Sequence, residues 1–346
     1  MKQIVLGMFL LLGSLLPVLS VASAQNLDSA DLRPPTLHAP DALGTLIASV
    51  VACPTTGIKA TACYALDITC PLVPDYTAYV KIIAPPKPVG TVILTSGGDV
   101  NDTYEDAYPY GPVTVQNIVN AKLTAVELTY GAPFSTGLGW EYDANGAGVR
   151  AAACRYATVV QWVYKRTVSV PLCATGSSAG GQIISEGLAH YGLGSYLKFA
   201  EITSGPPFGR VDYACINNVA QQVEYCSGTK IGMGVGYDNA VKYVDPAYPG
   251  TWCSSSLQTG STQYETQFLN DSVTSPDATL SYPNTKIRFL FGGLDTSSAI
   301  RQGLIYQSLI TQKPTYGCVK DAPHSIPDVQ DGAEQIAADV IANCHR

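Results

Sequence analysis

The sequence predicts an α/β fold, with a mostly parallel central sheet covered by helices on both faces. Short β-branched runs alternate with longer segments of helical period from Thr77 onward. Two of those runs, Val92-Ile93-Leu94 and Phe289-Leu290-Phe291, are continuously apolar, as expected of strands buried on both faces. No internal repeat of about 20–50 residues points instead to a solenoid or propeller.

In chain order, the strands are expected at Thr77–Ala84, Thr91–Ser96, Leu123–Thr129, Val168–Thr175, Lys198–Thr203 and Lys286–Phe291. Ala147–Arg166 reads as one helix, because Val149, Ala153, Tyr156, Val160 and Val163 share a face at spacings of three and four. Ala179–Tyr191, Ile300–Thr311 and Gln330–Ala342 have the same period. The alternation breaks once, between Pro206 and Asn284, in a Gly-, Ser- and Tyr-rich interval carrying Cys215, Cys226 and Cys253. This interval is expected to be a lid-like insertion over the carboxyl edge of the sheet, where ligands bind in such folds.

Upstream of the alternation, Met1-Lys2, the apolar run Ile4 to Leu19 and Val21-Ala22-Ser23-Ala24 form the three parts of a secretory signal peptide. Residues 1–24 are therefore expected to be a leader cleaved after Ala24. Residues 25–76 form a disulfide-stapled N-terminal extension, and residues 77–346 the main domain. All ten cysteines lie beyond the leader, and an even number in an exported chain implies up to five disulfides. Proximity of loop ends suggests Cys215 with Cys226 and Cys318 with Cys344. A secreted location follows, extracellular or periplasmic. No later segment is long and apolar enough for stable membrane insertion.

Only 14% of residues are charged against 46% hydrophobic, which describes a packed globular chain. The formal net charge is -7, and -8 without Lys2. The largest basic cluster is the pair Lys165-Arg166, so nucleic acid and anionic membrane surfaces are excluded as partners. No CxxC pair is present and histidine is scarce, so neither a metal nor another cofactor is expected.

The strongest motif is Gly176-Ser177-Ser178-Ala179-Gly180, a G-x-S-x-G entered by a strand and left by a helix. Such a turn lifts the central serine out of the sheet, and glycines are needed two residues either side because the backbone passes too close for a Cβ. Ser178, not Ser177, has glycines at both positions. The helix that follows aims its N–H groups and positive dipole end at incoming negative charge.

From these residues the chain resembles the α/β-hydrolase superfamily, and in particular its secreted serine esterase and lipase-like members, over roughly Thr77 to the C-terminus. The resemblance implies a Ser, Asp/Glu, His order. It places the acid at Asp295, after Ile287–Leu294, and the histidine at His324, in the loop before the last helix. Elimination agrees on the base: His38 lies in the N-terminal coil, His190 at the far end of the helix after Ser178, and His345 at the penultimate position. Asp321, Asp328 and Asp331 are rival acids near His324, with helix capping as their alternative role.

The oxyanion hole is expected from the amide of Ala179 and a second donor after Thr91–Ser96, either Gly98 or Asp99. Many superfamily members carry a His-Gly-Gly type sequence there, and this chain has Ser96-Gly97-Gly98.

The resemblance implies hydrolysis of a small-molecule or polymeric carboxylic ester through an acyl-enzyme. A serine peptidase or acyltransferase uses the same triad, and a non-catalytic binding protein can share the fold. Three weaker patterns are set aside. Gly146-Ala-Gly148 lacks the strand a dinucleotide site needs. The acidic stretch from Asp99 to Asp106 lacks calcium-loop spacing. Tyr104, Tyr108, Tyr110, Tyr130, Phe134, Trp140 and Phe208 either rim the site or belong to a Tyr-rich packed surface.

Overall fold

A computed structural model describes residues 39–98, 104–130, 139–167, 170–216, 220–226, 229–234 and 240–345. The expected leader lies outside them, as do Asp99, Phe134 and Val168. The chain runs β1 (Thr45–Val50), β2 (Ala62–Cys70), β3 (Val73–Ile83), β4 (Gly90–Thr95), α1 (Gly111–Asn120) and β5 (Leu123–Tyr130). It continues with α2 (Gly148–Ala152), α3 (Cys154–Arg166), β6 (Leu172–Ser177), α4 (Ala179–His190), β7 (Phe199–Thr203), α5 (Val211–Cys215), β8 (Ala220–Tyr225) and β9 (Thr229–Gly234). The last elements are α6 (Ala240–Tyr243), α7 (Trp252–Thr259), α8 (Glu265–Asn270), β10 (Lys286–Gly292), α9 (Ser298–Leu309), β11 (Thr315–Val319) and α10 (Gln330–Asn343).

Nine strands form one sheet in the order β1-β2-β3-β5-β4-β6-β7-β10-β11. The strands from β5 to β11 pair in parallel, and β1, β2 and β3 add an antiparallel meander at one edge. Residues 45–76, set apart in the sequence as an extension, thus supply β1, β2 and the start of β3 to the same sheet. The two disulfides Cys53–Cys63 and Cys70–Cys154 hold this edge.

Side-chain alternation explains why the central strands are apolar throughout. Ile93 of β4 packs into the core beneath α3 and α4, while Val92 and Leu94 face the opposite core beneath α1 and α10. In β6, Leu172 and Ala174 join the first core and Cys173 the second. The order also fixes where a ligand can bind. The chain leaves β4 to form β5 on one side and later returns as β6 on the other. β4 therefore marks a switch point, and in such sheets ligands bind outside the carboxyl ends of the strands there.

Two expectations are corrected. The single helix over Ala147–Arg166 is divided at Ala153 into α2 and α3. The division falls beside two anchored residues: Cys154, bonded to Cys70, and the buried Arg155, whose guanidinium donates to the carbonyls of Trp140, Tyr142, Pro74 and Asp143.

The pairings guessed from sequence proximity are also wrong. Cys215 joins Cys253, Cys226 joins Cys318, and Cys344 joins Cys173. Cys173 lies on the α10 face of β6, so it meets the end of the last helix. Cys226, just after β8, meets the edge strand β11. Spatial adjacency across the sheet decided the pairing, not adjacency along the chain. Residues 206–284 carry α5 to α8 and the β8–β9 hairpin.

Candidate active site

Between β6 and α4 the backbone reverses on one residue. Ser178 has φ 51° and ψ −112°, in the mirror-β region that L-residues avoid. It is held there by its own amide, which donates to Thr203 O at 2.9 Å, and by its carbonyl, which accepts from Gln182 N–H at 2.9 Å. The flanking glycines are sterically required. A Cβ on Gly176 would lie 2.7 Å from Gly180 C and O, and one on Gly180 would lie 2.3 Å from Thr95 O. Ala179 opens α4, so its N–H has no intrahelical acceptor and points out of the helix beside Ser178.

Two loops bring the other groups in. At the end of β10, a Cβ on Gly292 would sit 2.0 Å from Pro323 O, and one on Gly293 would sit 2.2 Å from Lys320 O. Only glycine lets the chain bearing Asp295 lie against the chain bearing His324. Leu294 N–H donates to Ala322 O at 2.9 Å and joins the two loops. His324 then spans the gap. Its Nε2 is 2.9 Å from Ser178 Oγ and its Nδ1 is 2.9 Å from Asp295 Oδ2.

The Asp295 side chain is 1% exposed and that of His324 35%. Burial alone would raise the Asp295 carboxyl, but hydrogen bonds from His324 and Ser297 hold it below the usual carboxylate range. Asp295 is thus an anion that accepts the Nδ1 proton, which leaves Nε2 as the acceptor facing Ser178.

The structure therefore brings Ser178, Asp295 and His324 together. Asp328 lies in a short turn and Asp331 in the first turn of α10, and the Nδ1 partners of His324 are Asp295 and Ser297. His190 is buried against Ser272 O at 3.2 Å and Glu186 at 3.4 Å, and burial pushes its imidazole down to about 3, so it is neutral.

Two more residues stand at the site. Ser297 caps α9, accepting from Ala299 N–H at 3.3 Å, donates its amide to Asp295 Oδ1 at 2.8 Å, and places its hydroxyl 3.1 Å from His324 Nδ1. A serine just before an apolar-periodic segment is the signal of a cap and could have found it. The second is Tyr108, one of the aromatics expected either to rim the site or to pack on a Tyr-rich surface, whose hydroxyl accepts from Gly97 N–H at 3.0 Å.

Of the expected oxyanion donors, Ala179 stands next to Ser178, Gly98 has φ +79°, and Asp99 is outside the described residues. Gly97 lies against the nucleophile turn, since a Cβ there would be 2.8 Å from Ser178 Cβ. Tyr104, Tyr130, Trp140 and Phe208 are buried packing residues, while Tyr110 is exposed. Among the described residues no cluster of three or more His, Cys, Asp or Glu could hold a metal ion. No described helix is long and apolar enough to cross a membrane.

No protein-family model and no curated protein sequence matches the chain. Solved structures do match. An arylesterase superposes with a TM-score of 0.51 at 11% identity, covering 84% of this chain and 88% of that one. The esterase Est22 superposes with a TM-score of 0.50 at 14% identity, covering 84% of this chain and 81% of that one. Carboxyl esterase 2 from the mycorrhizal fungus Tuber melanosporum is also similar, at 13% identity and a TM-score of 0.47, over 94% of this chain and 96% of that one. This chain has the α/β-hydrolase fold.

Proposed function

We propose that this α/β-hydrolase-fold chain is an exported serine hydrolase that cleaves carboxylic esters through an acyl-enzyme on Ser178. One observation carries the reading: the unbroken hydrogen-bond chain from Asp295 through His324 to a serine at positive φ. Five disulfides among the described residues support an oxidising destination.

In the acylation step, His324 Nε2 takes the Ser178 hydroxyl proton as Oγ attacks the ester carbonyl. The new C–O bond moves an electron pair onto the carbonyl oxygen, which accepts hydrogen bonds from the Ala179 amide and from a donor after β4, at Gly98 or Asp99. Asp295 keeps the Nδ1 proton in place and stabilises the imidazolium that forms. The alcohol departs with the proton from His324, and the acyl group remains on Ser178. Water then repeats the sequence, with His324 taking its proton and returning it to Ser178 as the carboxylic acid leaves. Residues 206–284 are read as the cap over this centre, which would set the acyl and alcohol groups admitted.

The reading is tested with a graded series of p-nitrophenyl esters and a matching nitroanilide. Ester turnover that disappears in folded Ser178→Ala and His324→Ala proteins is the expected result. Turnover of the anilide alone would make the chain a peptidase. Undiminished ester turnover in Ser178→Ala would place the nucleophile elsewhere.

A further inference from the structure

The loop following β4 has to present an amide to the oxyanion, yet its Gly97 amide is already engaged by Tyr108. The Tyr108 Oη accepts from Gly97 N–H at 3.0 Å and lies 3.5 Å from Gly97 O, so one hydroxyl bridges both ends of that residue. Its oxygen also meets the Ser96 side chain. Gly97 O and Gly98 N belong to one peptide plane. Fixing Gly97 on both sides therefore sets the direction of the Gly98 N–H. The same backbone is pressed against the nucleophile turn, where a Cβ on Gly97 would be 2.7 Å from Ser177 O and 2.8 Å from Ser178 Cβ.

A hydroxyl can act as a strut only if its own base is rigid, and the base here is pinned by buried charge. Tyr108 ends a short 3₁₀ turn, Glu105–Ala107, and its amide donates to Glu105 O at 3.1 Å. Within that turn, Asp106 N–H donates to Glu127 Oε1 at 2.8 Å, and the Asp106 carboxylate pairs with Lys81. Lys81 Nζ is also 2.9 Å from Glu127 Oε2, and Ile58 N–H donates to Asp106 Oδ2 at 2.6 Å. Lys81, Asp106 and Glu127 are all buried. On the other side, Tyr110 N–H donates to Pro327 O at 3.1 Å, in the segment just past His324. Residues 104–111 thus connect the loop after β4 to the loop carrying the base, with Tyr108 as the contact to the former.

Resting on the serine-hydrolase reading above, we propose that Tyr108 is a positioning residue for the oxyanion hole: its hydroxyl orients the Gly97–Gly98 peptide beside Ser178. It acts through that peptide. Acylation and deacylation both pass through an oxyanion, so the hydroxyl contributes to each.

The test is Tyr108→Phe, which removes one oxygen and keeps the ring, assayed with p-nitrophenyl acetate beside Ser178→Ala. Removing a direct oxyanion donor costs about 10²–10³ in kcat, and loss of its support should cost less, roughly 10- to 100-fold. KM should stay within about twofold, because the ground-state ester does not need the oriented amide. The affinity for phenylboronic acid, whose boron takes up Oγ to form a tetrahedral adduct, should fall by a similar factor. A merely structural role would not move kcat and boronate affinity together at constant KM.

Should Tyr108→Phe fold poorly, 3,5-difluorotyrosine at position 108 keeps the ring and the oxygen but weakens it as an acceptor, and a smaller loss is expected. Wild-type kcat and boronate affinity in folded Tyr108→Phe would overturn the inference, and with an inactive Ser178→Ala would leave the hydrolase reading standing. Full turnover in Ser178→Ala would sink that reading and this inference with it.

Discussion

Replacing Ser178 by glycine and by alanine separates the strain at this position from its chemistry. Both changes delete the hydroxyl and its 2.9 Å hydrogen bond to His324, so that loss cancels between them. Alanine keeps a Cβ at φ 51° and ψ −112°, a conformation costing about 1–3 kcal/mol for an L-residue. Glycine enters it freely but surrenders about 0.5–1 kcal/mol more backbone entropy on folding. Ser178→Gly should therefore be more stable than Ser178→Ala by about 1 kcal/mol. At roughly 2–4 °C per kcal/mol for a large single domain, the gap in Tm is about 2–4 °C. Calorimetry of the two variants at one pH, with disulfides intact, reads the difference directly. A glycine variant no more stable than the alanine variant would mean the turn is unstrained, and the steric account of the motif would fall with it.

Three further outcomes are expected. Asp295→Asn should lower kcat on the order of 10⁴-fold, because an amide can hold the wrong imidazole tautomer; full activity would move the acid to another carboxylate. Ser297→Ala should lose about 1 kcal/mol of stability with the cap of α9 and roughly 2- to 10-fold in kcat with the hydroxyl contact to His324 Nδ1, measured by urea unfolding and ester kinetics; an unchanged kcat would confine it to capping. Burial, with Glu127, Asp106 and Asp328 nearby, pushes Glu105 up to about 8 from 4.5, so the folded chain holds a proton that the unfolded chain releases. Stability from this group is complete below about pH 4.5 and is lost as pH rises towards 8, at up to ~1.4 kcal/mol per pH unit. Urea midpoints should show Glu105→Gln gaining on the wild type across that window, and parallel curves would contradict the assignment.

The parts of the fold legible in the sequence are those where one side chain type repeats for one physical reason. Val92-Ile93-Leu94 and Phe289-Leu290-Phe291 face cores on both sides of the sheet, so polarity never interrupts them. Gly176 and Gly180 stand where a Cβ has no room, which is why the short motif located the turn.

Of the strands that the sequence pattern does not show, β1 and β11 lie at the sheet's margins. In β1, Ile47 and Val50 are largely exposed, and β11 is short and exposed along most of its length, so neither shows a clear buried alternation. The disulfide partners were illegible because they join different layers: Cys173 and Cys344 are 171 residues apart yet share the core between β6 and α10. At the site, Ser178 is marked by its flanking glycines, while Asp295 and His324 follow from the Ser, Asp/Glu, His order that the resemblance implies, with elimination agreeing on the histidine. Tyr108 was noticed only as one aromatic among several. Its contact with Gly97 depends on a turn pinned by Lys81, Asp106 and Glu127, and no local pattern announces a meeting of β3, β5 and the segment between β4 and α1.

Covalent capture tests the nucleophile most directly. Folded protein treated with a fluorophosphonate should gain one adduct, mapped by peptide mass spectrometry to Ser178, and should react far more slowly once His324 is replaced by alanine. Folded protein that stays unmodified, or that carries the label on any other residue, would contradict the account.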